Sequence, residues 1–200
     1  MPSVDKLNYK LVPVNSMPLR AAARVFFQMW RDAVADNGER MTVAKPIFPE
    51  KSIVGEAYYK MTGRTGAYPL GNYCKVINEN RASIGMLAWG EVQNQKNGKE
   101  WLQDIGLPEN TVEIGNIVVR KKFRGLGLMA FAISELEKQL KQQGYDSFLI
   151  RTAYSNLAMR KTARKAGYKK IPFSQLKKVA EKRKLLPQQL TKTARFHKKI

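Results

Sequence analysis

The chain has one cysteine, Cys74, and one histidine, His197, in 200 residues. A lone cysteine cannot close an internal disulfide, which fits a reducing compartment or a protein with no use for disulfides. One cysteine and one histidine also argue against a metal site of nitrogen and sulfur ligands, so no metal is expected. Acidic residues are scarce: sixteen Asp and Glu stand against thirty-six Lys and Arg. After Asp146 the only acid is Glu181. The opening MPSVDKLNYK does not read as a signal peptide, and the uncharged run Gly125–Ser134 is far too short to span a bilayer. No internal repeat or low-complexity linker divides the chain. These absences lead to the expectation of a cytoplasmic protein without membrane contact.

What is present is a real core and a strong positive charge. The hydrophobic fraction is 44% and the formal net charge +20. A field of that sign raises encounter rates with polyanions and makes binding salt-sensitive. A soluble surface usually mixes both signs, so an anionic partner such as nucleic acid is expected. The basic excess is concentrated late, with eleven Lys or Arg between Lys169 and Ile200.

The chemistry centres on Ile117–Met129, IVVRKKFRGLGLM. Ile117, Val118 and Val119 are β-branched and read as a strand. The basic turn Arg120–Arg124 follows. Gly125 and Gly127 then open an apolar pattern at three- and four-residue spacing: Leu126, Met129, Ala130, Ile133, Leu136 and Leu140. A helix N-terminus offers free N–H groups and the positive end of the dipole, and glycines let an anion approach the backbone. The expected guest is a phosphate or pyrophosphate. A P-loop is excluded, because the Gly-Lys-Ser/Thr ending is missing. Gly125-x-Gly127-x-x-Ala130 fits a dinucleotide fingerprint. An ordinary βα turn, with glycine for tight packing, is a further reading.

The next segment has its own pattern. Gly144 ends the helix, Ser147–Thr152 is a strand, Asn156 caps a helix to about Ala166, and Gly167-Tyr168 closes it. Arg124-x-x-Gly127-x-Met129 resembles the acyl-CoA turn, Arg/Gln-x-x-Gly-x-Gly/Ala, of the Gcn5-related N-acetyltransferase (GNAT) superfamily. Strand, Asn156, helix and Gly167-Tyr168 resemble the second half of that family's motif. Together they cover about Val112 to Tyr168. A dinucleotide fold should continue with more βαβ units, but few residues remain and they lack strand patterning.

The resemblance implies an α/β (α+β) fold, the GNAT acyl-CoA N-acyltransferase fold, with a central mixed, mostly antiparallel sheet and helices on both faces. It implies acetyl-CoA as co-substrate and an amine-bearing acceptor on a peptide, protein or small molecule. Cofactor contacts fall on Ile117, Val118, Val119, Arg124, Gly125, Leu126, Gly127, Leu128, Met129 and Asn156. The main-chain N–H groups of Val118 and Val119 would polarise the thioester carbonyl. Glu113, where many members hold a carboxylate, would accept the amine proton through water; a surface strand residue is its plainer reading. In this family a bulge in the central strand splays two parallel strands for the pantetheine arm, and Gly115 stands there; a glycine kept for packing is the other reading. Two positions depart from the family: Met129 replaces Gly/Ala, and Ala163 replaces the tyrosine that commonly protonates the thiolate. Tyr154, Ser155, Tyr168 or water would take that role. The competing function is a catalytically weakened protein on the same scaffold, structural or nucleic-acid-binding, and virion-associated if packaged.

Elsewhere, Tyr9–Val14 reads as an edge strand, Arg20–Ala35 as a helix and Ile53–Met61 as a short one. Thr62–Gly71 is a loop that the resemblance places beside the acceptor; Tyr58, Tyr59 and Arg64 would then touch substrate, with surface structure as their plainer reading. Asn72–Asn78 and Ala82–Val92 form a hairpin buried on both faces, Gln93–Asn110 a polar loop anchored by Trp101 and Leu102, and Thr111–Arg120 the central strand. The expected organisation is an acetyltransferase-like domain over 1–170, then a basic C-terminal helix and tail over 171–200. That helix starts after Ser174 with Phe173, Leu176, Val179 and Ala180 on one side, and Gln188–Ile200 is a basic tail.

Overall fold

The computed structural model describes residues 9–13, 72–77, 80, 82–94, 97–183 and 193–200. The expected helices over 20–35 and 53–61, the loop 62–71, and Tyr58, Tyr59 and Arg64 lie outside them. The strands are β1 (Lys10–Pro13), β2 (Asn72–Ile77), β3 (Ser83–Glu91), β4 (Val112–Val119), β5 (Ser147–Ala153), β6 (Lys169–Lys170) and β7 (Thr193–Lys199). The helices described are α1 (Gly98–Asp104), α2 (Leu128–Gln142), α3 (Leu157–Lys165) and α4 (Phe173–Lys182). The seven strands form one mostly antiparallel sheet in the order β1-β2-β3-β4-β5-β7-β6. The chain divides into two compact units, one of residues up to Trp89 with Asn116–Ala132, the other of Gly90–Gly115 with Ile133–Ile200.

In the first unit β1, β2 and β3 make an antiparallel meander, with Lys10 opposite Ile77 and Cys74 opposite Leu87. Pro13 sits on the outermost strand, the position in a sheet that tolerates a residue without an N–H. Ile84–Ala88 is buried without a break, so β3 is covered on both faces as its run of apolar residues predicts. The amide of Arg120 donates to the Ile84 carbonyl at 3.0 Å and ties β3 to the end of β4.

In the second unit β4 and β5 are parallel neighbours, with Val112 opposite Phe148 and Ile114 opposite Ile150. This is the pairing that a crossover helix flanked by short turns requires. The ladder covers three residue pairs and ends where Gly115 begins. Thr111, Ser147 and His197 tie the ends of β4, β5 and β7 through contacts of 2.8 Å and 3.0 Å. Gly144 and Gly167 close α2 and α3, and the Asn156 side chain accepts from the Met159 amide at 3.0 Å as an N-cap.

Two expectations need correction. The loop after β3 contains α1, which buries Leu102 in a cluster with Val92, Ile105, Leu149, Ile171, Leu176, Val179 and Ala180. The helix was hidden because it begins at a glycine. A Cβ at Gly98 would lie 1.8 Å from the Val92 carbonyl oxygen, so close backbone approach decides that residue. The second correction is larger. Residues 193–199 are not a basic tail but β7, paired antiparallel with β5 along its whole length and with β6 on its other side. The segment after 170 is therefore part of the second unit rather than an appendage. α4 packs through Leu176, Val179 and Ala180, while Phe173 remains 40% exposed. Some of the cations here are compensated: Lys182 and the C-cap Arg183 share Asp104, and Lys177 faces Glu181. Lys198 of β7 meets Glu137 at 2.6 Å.

The buried ionisable groups set a pH window for stability. Burial, with Lys199 adding to it, holds the His197 imidazole below its ordinary 6.5. The unfolded chain therefore takes up a proton that the folded chain refuses, and stability falls as pH drops below 6.5. Burial pushes the Cys74 thiol from 9.0 up to about 11, the hydrogen bond with Trp89 opposing it. The unfolded chain then loses a proton first, so stability also falls between pH 9 and 11, by about 2 kcal/mol at one unit per 1.36 kcal/mol. Urea midpoints should be highest near neutrality and lower at both pH 5.5 and pH 10, as follows from those directions. A midpoint still rising above pH 9 would contradict the burial of Cys74.

Candidate functional site

The site begins where β4 ends. A 3-10 turn, Lys121–Phe123, leads from the strand, and the Arg124 guanidinium donates from Nε to the Val119 carbonyl at 2.9 Å. That bond folds the basic turn back onto the strand's last residue. Gly125 and Gly127 follow with φ of +79° and +78°, a region that favours glycine. Both glycines and Arg124 are exposed. The Phe131 amide donates to the Gly127 carbonyl at 3.2 Å, which puts Gly127 at the helix start. The amides of the first helical turn have no acceptor within the helix, and they carry the positive dipole end. Arg120, Lys121, Lys122 and Arg124 surround this opening with positive charge.

The side chains behind the turn face inward. Leu128 is buried and Met129 half-buried, followed by buried Ala132, Ile133, Leu136 and Leu140. Leu126, Ile117 and Val119 are half-buried, and Val118 lies between the last two on β4. Residues 124–129 therefore present backbone outward and apolar side chains inward. That combination fits a pyrophosphate, which takes hydrogen bonds from amides and charge from guanidinium and ammonium groups.

Glu113 lies earlier on β4 and is buried, not a surface residue. Arg151 of β5 holds it in a bidentate ion pair, Nε to Oε1 at 2.9 Å and Nη2 to Oε2 at 2.5 Å. Sequence reasoning passed over Arg151, although it is the one charge in the apolar strand SFLIRTA. A lone charge in a buried strand needs a partner, and that was the available signal. The two bonds to Arg151 fix the orientation of the Glu113 carboxylate.

Tyr154, Ser155 and Asn156 form the connection from β5 to α3. Tyr154 is half-buried, with Arg160 Cζ 5.4 Å and Lys170 Nζ 5.0 Å from its ring centroid. Ser155 and Asn156 are exposed, and the Asn156 oxygen is engaged as the helix cap. Ala163 is fully buried and accepts from the Tyr168 amide at 3.0 Å. Tyr168 is 3% exposed, and burial followed by the Glu137 carboxylate pushes its phenol far above the ordinary tyrosine range. Its side chain packs in the interior, behind the Gly167 turn. Among the described residues, no helix is long and apolar enough to cross a membrane.

A family model described as the acetyltransferase (GNAT) family matches residues 42–168. Solved structures similar to the chain include a GNAT-family acetyltransferase from Staphylococcus aureus Mu50, at 12% identity and TM-score 0.57, covering 96% of this chain and 98% of that one. A phosphinothricin acetyltransferase from Sinorhizobium meliloti, in complex with acetyl-CoA, is 15% identical at TM-score 0.58, covering 96% and 88%. A GCN5-related N-acetyltransferase from Kribbella flavida is 10% identical at TM-score 0.56, covering 96% and 98%. No curated protein sequence matches the chain. At these identities the structures establish the fold and leave the acceptor open.

Proposed function

The chain belongs to the acetyltransferase (GNAT) family, and from that premise we propose that it moves the acetyl group of acetyl-CoA to an amine carried by a peptide, protein or small molecule. The observation that carries the proposal is the exposed turn after β4, with Gly125 and Gly127 at positive φ inside a basic surround. Acetyl-CoA supplies an activated thioester. The Arg124–Met129 backbone binds the pyrophosphate, and the Val118 and Val119 amides polarise the carbonyl. The amine nitrogen attacks the carbonyl carbon, a C–N bond forms, and the C–S bond breaks. The amine's proton leaves through water to Glu113, and the thiolate takes a proton from Tyr154, Ser155 or water. The buried position of Glu113 is why a water relay, rather than direct contact, is assigned.

Calorimetric titration with acetyl-CoA, followed by thiol release over a panel of amines, tests the reading. Saturable binding and amine-dependent thiol release are expected; a chain that binds no acetyl-CoA would end it. One observation favours a non-enzymatic protein on the same scaffold: alanine, not tyrosine, fills position 163, and it is fully buried. That reading predicts binding without thiol release for any amine.

Glu113 gives a separate prediction. Glu113→Gln should lower turnover most at low pH, where the acceptor amine is protonated and needs a base. It should also reduce unfolding free energy by about 3 kcal/mol, because Arg151 loses a charged partner in a mostly buried pair. A pH–rate profile parallel to wild type removes Glu113 from proton transfer. An unchanged urea midpoint shows that the pair does not hold β4 to β5.

A further inference from the structure

Several cations of the second unit have a carboxylate: Lys99 with Glu109, Lys138 with Glu135, Arg151 with Glu113, Lys177 with Glu181, Lys182 and Arg183 with Asp104, and Lys198 with Glu137. A cluster of six others comprises Arg160, Lys161, Arg164 and Lys165 of α3 and Lys169 and Lys170 of β6. None of these six forms an ion pair with a described carboxylate. The sequence offers none locally, since no acid occurs between Asp146 and Glu181.

Geometry concentrates this charge. Lys161, Arg164 and Lys165 are exposed on the side of α3 opposite buried Ala163, at the three- and four-residue spacing that puts side chains on one face. Lys169 and Lys170 are exposed on β6, at the edge of the sheet. Tyr154 joins the two elements: Arg160 approaches its ring to 5.4 Å and Lys170 to 5.0 Å, and the Arg160 Nη1 donates to the Tyr154 carbonyl at 2.9 Å. Leu157, at the start of the same helix, is 61% exposed. Like charges held this close repel one another, and a polyanion that displaces their counterions relieves the repulsion.

We propose that α3, β6 and Tyr154 form a nucleic-acid-binding surface that grips the phosphate backbone. The occupant is a nucleic acid because its charge is spaced along a chain, as the six cations are spaced along a helix and a strand, and because an aromatic among cations suits exposed bases. Contacts to phosphate carry little sequence information, so binding is general. The surface replaces the C-terminal segment as the seat of polyanion binding: β7 is committed to the sheet, and several late cations already have carboxylates.

The test is fluorescence anisotropy of a labelled, mixed-sequence single-stranded oligonucleotide with the full chain, over a range of salt. Wild type should bind with a log–log salt slope of about 4, at roughly 0.7 per phosphate contact over six cations. The triple change K161E/R164E/K165E should weaken binding at least about tenfold and bring the slope to about 2. The control K138E/K141E/K178E alters the net charge equally at exposed positions elsewhere and should change affinity less than about threefold. If the first triple variant fails to fold, Lys161→Glu and Lys165→Glu singly should each lower the slope. Equal losses in both triple variants, or no binding by wild type, overturn the proposal. Displacement by polyglutamate at equal charge concentration would assign the surface to acidic peptides and overturn it as well.

Discussion

Replacing Gly127 with valine is expected to weaken acetyl-CoA binding by about 100-fold, a loss of about 2.7 kcal/mol. Gly127 has φ of +78° at the start of α2. A β-branched residue in that region is an outlier, and the left-handed conformation costs about 1–2 kcal/mol. The turn must either keep that strain or move, and moving withdraws the amides of the first helical turn from the pyrophosphate. Each charge-assisted hydrogen bond to an amide is worth about 1.5–3 kcal/mol, so losing one or two accounts for the factor. The strain is small beside a typical folding free energy of about 5–15 kcal/mol, and the chain should stay folded. Arg124→Glu should reach a similar loss by another route. It reverses charge at the helix N-terminus and removes the bond from Nε to the Val119 carbonyl. Calorimetry with acetyl-CoA, alongside circular dichroism, reads both. Wild-type affinity in both variants, with the fold intact, would reduce residues 124–129 to a packing turn.

How much of this was legible in the sequence depends on whether the signal was local. The turn and α2 were readable because Gly125, Gly127 and Gly144 punctuate the backbone and the apolar stripe runs at helical spacing between them. α3 was readable because Asn156 caps it and Gly167 ends it. The parallel pairing of β4 and β5 followed from a crossover helix with short flanks. The rest depended on partners far away in the chain. α1 begins at a glycine chosen for its approach to Val92, a contact no propensity scale contains. Arg151 and Glu113 are separated by thirty-eight positions, so neither announces the other. β7 was the clearest miss. TARFHKK alternates, with Ala194 and Phe196 buried and Thr193, Arg195 and His197 half-buried. Only two apolar residues mark its inner face, and the surrounding lysines and arginines gave the look of a solvated tail. Lys198 and Lys199 were read as free charge, whereas Lys198 packs along Gly167 and pairs with Glu137.

That miss carries the second large effect. Phe196→Ala is expected to lower unfolding free energy by about 3–5 kcal/mol, the usual range for emptying a buried phenylalanine site. Phe196 is fully buried, opposite Ile150 of β5 on one side and Lys170 of β6 on the other. Its removal leaves a void between two strands whose ladders run through it, and neither strand can close the gap without shifting the other. A tail residue would behave differently, since substitutions at solvated positions stay within about 0.5 kcal/mol. Lys199→Ala, exposed on the same strand, is the internal control. Urea unfolding should show a much lower midpoint for Phe196→Ala with an unchanged slope, and a near wild-type midpoint for Lys199→Ala. Phe196→Leu keeps most of the volume and should fall between them, which preserves the test if the alanine variant does not fold. Coincident midpoints for Phe196→Ala and wild type would return residues 193–199 to solvent. The effect reaches the site through β5: β7 pairs with it from Ser147 to Ala153, and the next residues are Tyr154, Ser155 and Asn156. A strand that frays at its β7 edge releases that connection, so the leucine variant should lose thiol-release activity before it loses its fold.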